Sequence, residues 1–219
     1  MRTESNEGMG QRVCLLAGDS LEAVPGDYAP LVTDRFRDVF ADPVGWLSGL
    51  AVRCEIPEMQ RWLRTQATAG EWELRLAKSE YGPTRAGYYW QAPGVSPGYV
   101  IPCAGPRDED LPAVLAAFYE LVESVHWEAD LFCSGGIGTE GQHPTLNDYW
   151  QGEWTAVDAD TARLFAVTPA GDAMVYSPDG QAFFVSHEAL SVVSMGALTD
   201  AINFIFTRLN ADAWPEYPH

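Results

Sequence analysis

Lysine is almost missing from this 219-residue chain; Lys78 is the only one. Basic residues of any kind fade along it. Residues 1–100 hold ten Lys and Arg against thirteen Asp and Glu, and residues 101–219 hold three Arg against eighteen Asp and Glu. The net charge is −18. Such a field repels nucleic acid and anionic membrane, and it works against nucleotide phosphates wherever no local cation overrides it. Long apolar runs are also missing, since none approaches the ~20 residues of a membrane helix. The early stretch Val13–Gly18 is too short for a signal-peptide core, so the expected compartment is the cytoplasm. Cys14, Cys54, Cys103 and Cys133 lie far apart with no C-x-x-C among them, which excludes a zinc knuckle and a thioredoxin motif and leaves buried free thiols. His126, His143, His187 and His219 show no H-x-x-x-H or H-x-H spacing, so neither metal nor cofactor is expected. A G-x-S-x-G elbow, a Walker loop and an internal repeat are absent as well.

What the chain does have is core-forming residues, with 47% hydrophobic and 12% aromatic. Helical spacing runs through "APLVTDRFRDVFAD", with Pro43 as its stop, and through "EIPEMQRWLRTQATAG", with Pro57 in the first turn and Gly70 past the end. "EWELRLA" alternates as a strand, and "GYYWQ" and "GYVIP" read as short aromatic strands. "CAGPRDED", residues 103–110, marks a boundary where the charge balance changes. It divides an N-terminal αβ extension, residues 1–105, from a second unit, residues 106–219. That unit opens with "EDLPAVLAAFYELVESV". There Leu111, Val114, Leu115, Phe118, Leu121, Val122 and Val125 form one apolar stripe, and Asp108, Glu109 and Asp110 suit a helix N-terminus. The strands "EWTAV", "ARLFAVT", "DAMVYS" and "QAFFVS" follow, with "PAG" and "PDG" as tight turns. "LSVVSM" is a possible fifth, and "GALTDAINFIFTRLNAD" closes as a helix on Leu198, Ala201, Ile202, Ile205 and Leu209. The expected class is α+β, an antiparallel meander framed by helices.

One stretch raises a sharper possibility. "LFCSGGIGTEG" contains Gly136-Ile-Gly-Thr-Glu-Gly141, the letters of a dinucleotide-binding turn; Asp130–Cys133 leads into it and Asp158 lies about twenty residues on. That turn needs a helix starting inside the motif and crossing to a parallel strand. Here Pro144 would fall in the helix interior, at a cost of ~3 kcal/mol. A helix begun at Pro144 would end by Gly152, and the strands beyond are hairpin-linked. The expectation is that the loop holds no nucleotide and serves as a flexible connection between helix and sheet. Cys133, His143 and Asp148 are the nucleophile, base and orienter of an alternative reading, a small-molecule hydrolase or nucleotide-using enzyme built on Gly135–Gly141. A scaffold module for a basic protein is the third possibility.

Residues 108–212 resemble the SUKH superfamily of bacterial immunity proteins and a related cell-wall-synthesis regulator. The likeness rests on "LPAVLAAFYELV", on "RLFAVTPAGDAMVYSPDGQAFFVSHE" with its Gly171-Asp172 and Asp179-Gly180 pairs, and on "MGALTDAINFIFTRL". The resemblance implies no catalytic residues. It implies stoichiometric neutralisation of a cognate toxin, and the acidic charge independently suits a toxin with a basic surface. The candidate partner-binding residues are Glu153, Trp154, Asp158, Asp160, Asp172, Asp179 and Glu188, which crowd the hairpin region with only Arg163 to balance them.

Overall fold

A computed structural model describes residues 2–6, 11–16, 21–26, 28–32, 34–68, 71–79, 85–91, 98–102, 111–128, 134–138 and 143–211. The chain opens with strands β1 (Arg2–Asn6) and β2 (Gln11–Leu16), then helices α1 (Asp34–Ala41), α2 (Pro43–Arg53) and α3 (Pro57–Thr68). Strands β3 (Glu71–Ser79), β4 (Arg85–Gln91) and β5 (Gly98–Pro102) lead to helix α4 (Ala113–Leu121). Strands β6 (Val122–Glu128) and β7 (Ser134–Ile137), the four-residue helix α5 (Leu146–Tyr149), and strands β8 (Arg163–Val167), β9 (Ala173–Tyr176), β10 (Gln181–Ser186) and β11 (Ser191–Ala197) come next; helix α6 (Leu198–Asn210) is last. All eleven strands join one antiparallel sheet in sequence order. The fold is α+β.

One of the expected helices needs correction. The first helix ends as expected short of Pro43, at Ala41, and Pro43 itself begins α2, where a missing N–H costs nothing; the Asp42 carboxylate caps that start by accepting from the Gly45 N–H at 2.9 Å. The long stripe from Leu111 to Val125 is not one helix. α4 stops at Leu121, and Val122 is already extended at φ −142° and ψ 154°. The register between β5 and β6 shifts at Ile101/Pro102, so that Pro102 faces Val122 and Ile101 faces Ser124. This bulge resets the strand's alternation and brings Val122 into the same core as Val125 and Trp127. An i, i+3 spacing made by a bulge reads in the sequence like a helical repeat. Backbone pairing to β5 on one side and β7 on the other decides for strand. The expected strand over 153–157 is irregular; Val157 and Trp154 instead cover the sheet.

The sheet has apolar contacts on both faces. On β9 and β10, Met174, Tyr176, Ala182 and Phe184 enter the larger core with α2, α3, α4 and α6, while Ala173, Val175 and Val185 enter a second core under α5 and the following loop. α6 buries the whole expected stripe, Leu198, Ala201, Ile202, Ile205 and Leu209, together with Phe206. It lies on α3: Trp62 and Phe206 pack with ring centroids 5.5 Å apart, and the Asn210 side-chain amide donates to the Glu58 carbonyl at 3.0 Å and to its carboxylate at 2.9 Å. The N-terminal extension and the second unit therefore share one core, and the β5–β6 pairing carries the sheet across residues 103–110, which lie outside the described residues.

Gly171 and Gly180 hold positive φ in the two expected tight turns, at 93° and 81°. Leu190, in the turn before β11, is the exception to the usual choice, with φ 49° and 71% exposure. A leucine there carries left-handed strain that asparagine tolerates better. Leu190→Asn is expected to stabilise the protein by about 0.5–1 kcal/mol. Calorimetry should show a melting temperature a few degrees higher, and an unchanged or lower value would contradict the strain.

Candidate functional site

An open cleft of 610 Å³ lies at one end of the sheet, where β8 begins and β9 ends. Arg163 and Tyr176 line it from those strands, Asp179 and Gly180 from the β9–β10 turn, Asp160 from the loop before β8, and Pro112 from the start of α4. The meander forces this grouping, because the start of β8 and the β9–β10 turn fall at the same sheet end. The loop is held by its own carboxylate. Asp158 accepts from the Asp160 N–H at 3.2 Å and from the Thr161 hydroxyl at 2.9 Å. Asp160 accepts from the Asn147 side-chain amide at 3.0 Å, which ties the loop to α5. Asp158, Asp160 and Asp179 remain exposed. The Ser177 hydroxyl donates to Asp179 and is the chief reason its carboxyl lies below the ordinary carboxylate range.

Behind the cleft is a buried polar chain absent from the sequence expectations. His143 is 3% exposed; its Nδ1 lies 2.8 Å from the Leu164 carbonyl and its Nε2 lies 2.8 Å from the Tyr119 hydroxyl. A carbonyl only accepts, so Nδ1 carries the proton, and in the neutral ring Nε2 accepts from Tyr119. The ring also sits edge-on to Tyr176, centroids 5.9 Å apart, so the chain backs the cleft wall. On β6, Ser124 and His126 form a second buried pair at 2.8 Å.

The seven candidate residues do not share one surface. Asp158, Asp160 and Asp179 gather at the cleft end. Asp172 belongs to the opposite end and is 5% exposed; it accepts from the His187 backbone N–H at 3.1 Å and from His187 Nδ1 at 3.0 Å. His187 in turn stacks on Trp150, ring centroids 5.2 Å apart and planes 30° apart. This Asp172–His187–Trp150 stack fastens the covering loop to the β10–β11 turn, so the Asp172 carboxylate is a structural partner of His187. Glu188 is exposed beside it. Glu153 is exposed on the covering loop, and Trp154 is half-buried against the second core.

Of the alternative enzyme set, the two described members, His143 and Asp148, do not pair with each other. Cys133 lies outside the described residues. The Asp148 carboxylate accepts from the Thr145 N–H at 3.2 Å and from its hydroxyl at 2.8 Å, closing a capping box at the start of α5. His143 is engaged elsewhere, as given above. The described part of the glycine stretch, residues 135–138, is strand and strand end, in place of the expected flexible connection. Gly135 and Gly136 are in β7, opposite Trp127 and His126 of β6, and Gly136 also faces Val167 of β8. Thr139–Gln142 and Asp130–Cys133 lie outside the described residues, and α5 beyond them has a single turn. Gly138, at φ 93°, donates its N–H to the Phe165 carbonyl at 2.9 Å. A Cβ there would stand 2.6 Å from the Glu123 carbonyl oxygen. Gly138 lets the end of β7 lie close against β6.

Cys54 is buried and free, and burial is the main cause that pushes its thiol up. Among the described residues, no cluster of three or more His, Cys, Asp or Glu side chains is arranged to hold a metal, and no helix is long and apolar enough to cross a membrane. Compared with family models, with curated proteins and with solved structures, the chain matches none of them.

Proposed function

We propose that the chain is a SUKH-like immunity protein that neutralises a cognate toxin by binding it one to one and occluding its working surface. The observation that carries this reading is the placing of Asp160 and Asp179 around an open cleft at one end of the sheet, with Asp158 in the same loop as Asp160, in a chain of net charge −18. Arg163 is the one basic side chain lining that cleft among the described residues. A basic protein meets a complementary field there, and opposed fields raise association rates well above the neutral ~10⁵–10⁶ M⁻¹s⁻¹. Speed matters to a cell that must silence a toxin before it acts. Loop 158–162 and the β9–β10 turn are tied by their own hydrogen bonds, so the carboxylates are presented with little ordering left to do on binding.

The test has two arms. Deleting the gene from the strain that encodes it should leave cells that are poisoned by their own parent in mixed culture, and expression from a plasmid should restore growth. Growth of the deletion strain equal to that of the parent, alone and in mixture, would overturn the reading. With the toxin in hand, the triple variant Asp158→Asn, Asp160→Asn, Asp179→Asn should associate at least tenfold more slowly at low salt and lose most of its salt dependence. A parent-like rate and salt slope would place the toxin on another surface. Asp172→Asn should act through stability instead, because its carboxylate is buried against His187.

A further inference from the structure

One edge of the sheet bears on partner binding. Among the described residues β1 forms the first edge. Strand β11 forms the other. Its sequence, Ser-Val-Val-Ser-Met-Gly-Ala, has no charge and no proline. Among the described residues β11 pairs with β10 alone, from Ser186↔Ser191 to Gln181↔Ala197. In an antiparallel ladder alternate residues turn their N–H and C=O to the far side. The register to β10 slips between Ala182 and Phe183, where Gly196 holds φ 80°, so the regular edge is Ser191–Ser194, about 13 Å of template. Ser194 and Ala197 are exposed, and Leu190, one residue before the strand, is 71% exposed.

We infer that β11 is a docking edge that takes an extended segment of a basic partner protein as a twelfth strand of the sheet. Recognition would combine main-chain hydrogen bonds along the edge with a side-chain contact on Leu190. Charge decides the occupant. The uncharged strand is bracketed by two exposed carboxylates, Glu188 before it and Asp200 after it. A second copy, pairing antiparallel along Ser191–Ser194, would bring Glu188 of each copy toward the far end of the other's β11, beyond which Asp200 lies. Like charges meet at both ends, and two bodies of net charge −18 approach each other. A segment with an uncharged centre and basic flanks meets the opposite situation at every point. That this partner is a toxin rests on the immunity reading; the edge and its charge bracket do not.

The probe is a set of eleven-residue peptides with an alternating Val/Thr centre, ended by two Arg, ended by two Glu, or Arg-ended with N-methyl groups on alternate residues. Amide exchange of the full-length protein is followed with each. The Arg-ended peptide is expected to slow exchange at alternate amides within 191–194. The Glu-ended peptide should need at least tenfold more for the same protection. The N-methylated peptide with its pairing side blocked should give none. In the variant Glu188→Gln, Asp200→Asn, both changes at exposed sites, the tenfold preference should fall below threefold. The proposal is overturned by no protection of β11 at millimolar Arg-ended peptide, or by equal protection from the Glu-ended one. It is also overturned if the protein alone protects 191–194 as its own concentration rises, because the occupant is then a second copy. Peptide capture by a chain that fails to shield its strain would keep the edge and remove the toxin. Full shielding by a variant whose β11 captures no peptide would do the reverse.

Discussion

Gly138→Ala is expected to destabilise the protein by about 2–4 kcal/mol, combining a disfavoured backbone with a steric clash. Gly138 has φ 93°, which an L side chain rarely adopts. Its added Cβ would meet the Glu123 carbonyl oxygen at 2.6 Å and the Ser124 Cα at 2.9 Å, both backbone atoms of the neighbouring strand that cannot swing aside. Relief by a shift of β7 away from β6 would stretch the Gly138 N–H bond to the Phe165 carbonyl. Urea unfolding of parent and variant measures the loss, and a difference under about 0.5 kcal/mol would show that the backbone gives way easily. The same experiment separates the two meanings of the glycine motif. In a nucleotide turn, the substitution would remove nucleotide binding and spare stability. Here titration of the parent with NAD, FAD and ATP is expected to give no heat, and stability is where the change is felt.

Phe206→Ala is expected to cost about 3–5 kcal/mol, the range for emptying a fully buried aromatic site. Phe206 is 0% exposed and packs on Trp62 across the α3–α6 contact, so the cavity would open where the N-terminal helices meet the closing helix. Its consequence should reach both halves of the chain. Amide exchange in α3 and in β8–β10 should weaken together, in one unfolding transition. Separate transitions, with α3 lost first and β8–β10 unchanged, would mean that the two halves keep independent cores despite their contact.

How much of this was legible beforehand follows from how far apart the deciding groups lie. α3 and α6 were readable because each buries a stripe written within one segment: Met59, Trp62 and Leu63 in the first, Leu198 to Leu209 in the second. The hairpins β8–β9 and β9–β10 were readable because alternation and a turn glycine are local signals. The net charge and its drift toward the C-terminal half belong to composition alone. Tertiary structure decided the rest. β6 became a strand because β5 and β7 take up its backbone bonds, and a bulge gave its apolar residues a helix-like spacing. The acidic residues divided between the two sheet ends according to which turn each occupies, and Asp172 was withdrawn from the surface by His187, a residue of the β10–β11 turn. His143 found Tyr119 and the Leu164 carbonyl through pairings that no local pattern encodes. The glycines of 135–138 looked like a ligand loop because a phosphate and a neighbouring strand make the same demand of a backbone, that nothing project from Cα. Only the position of β6 tells which of the two is being met.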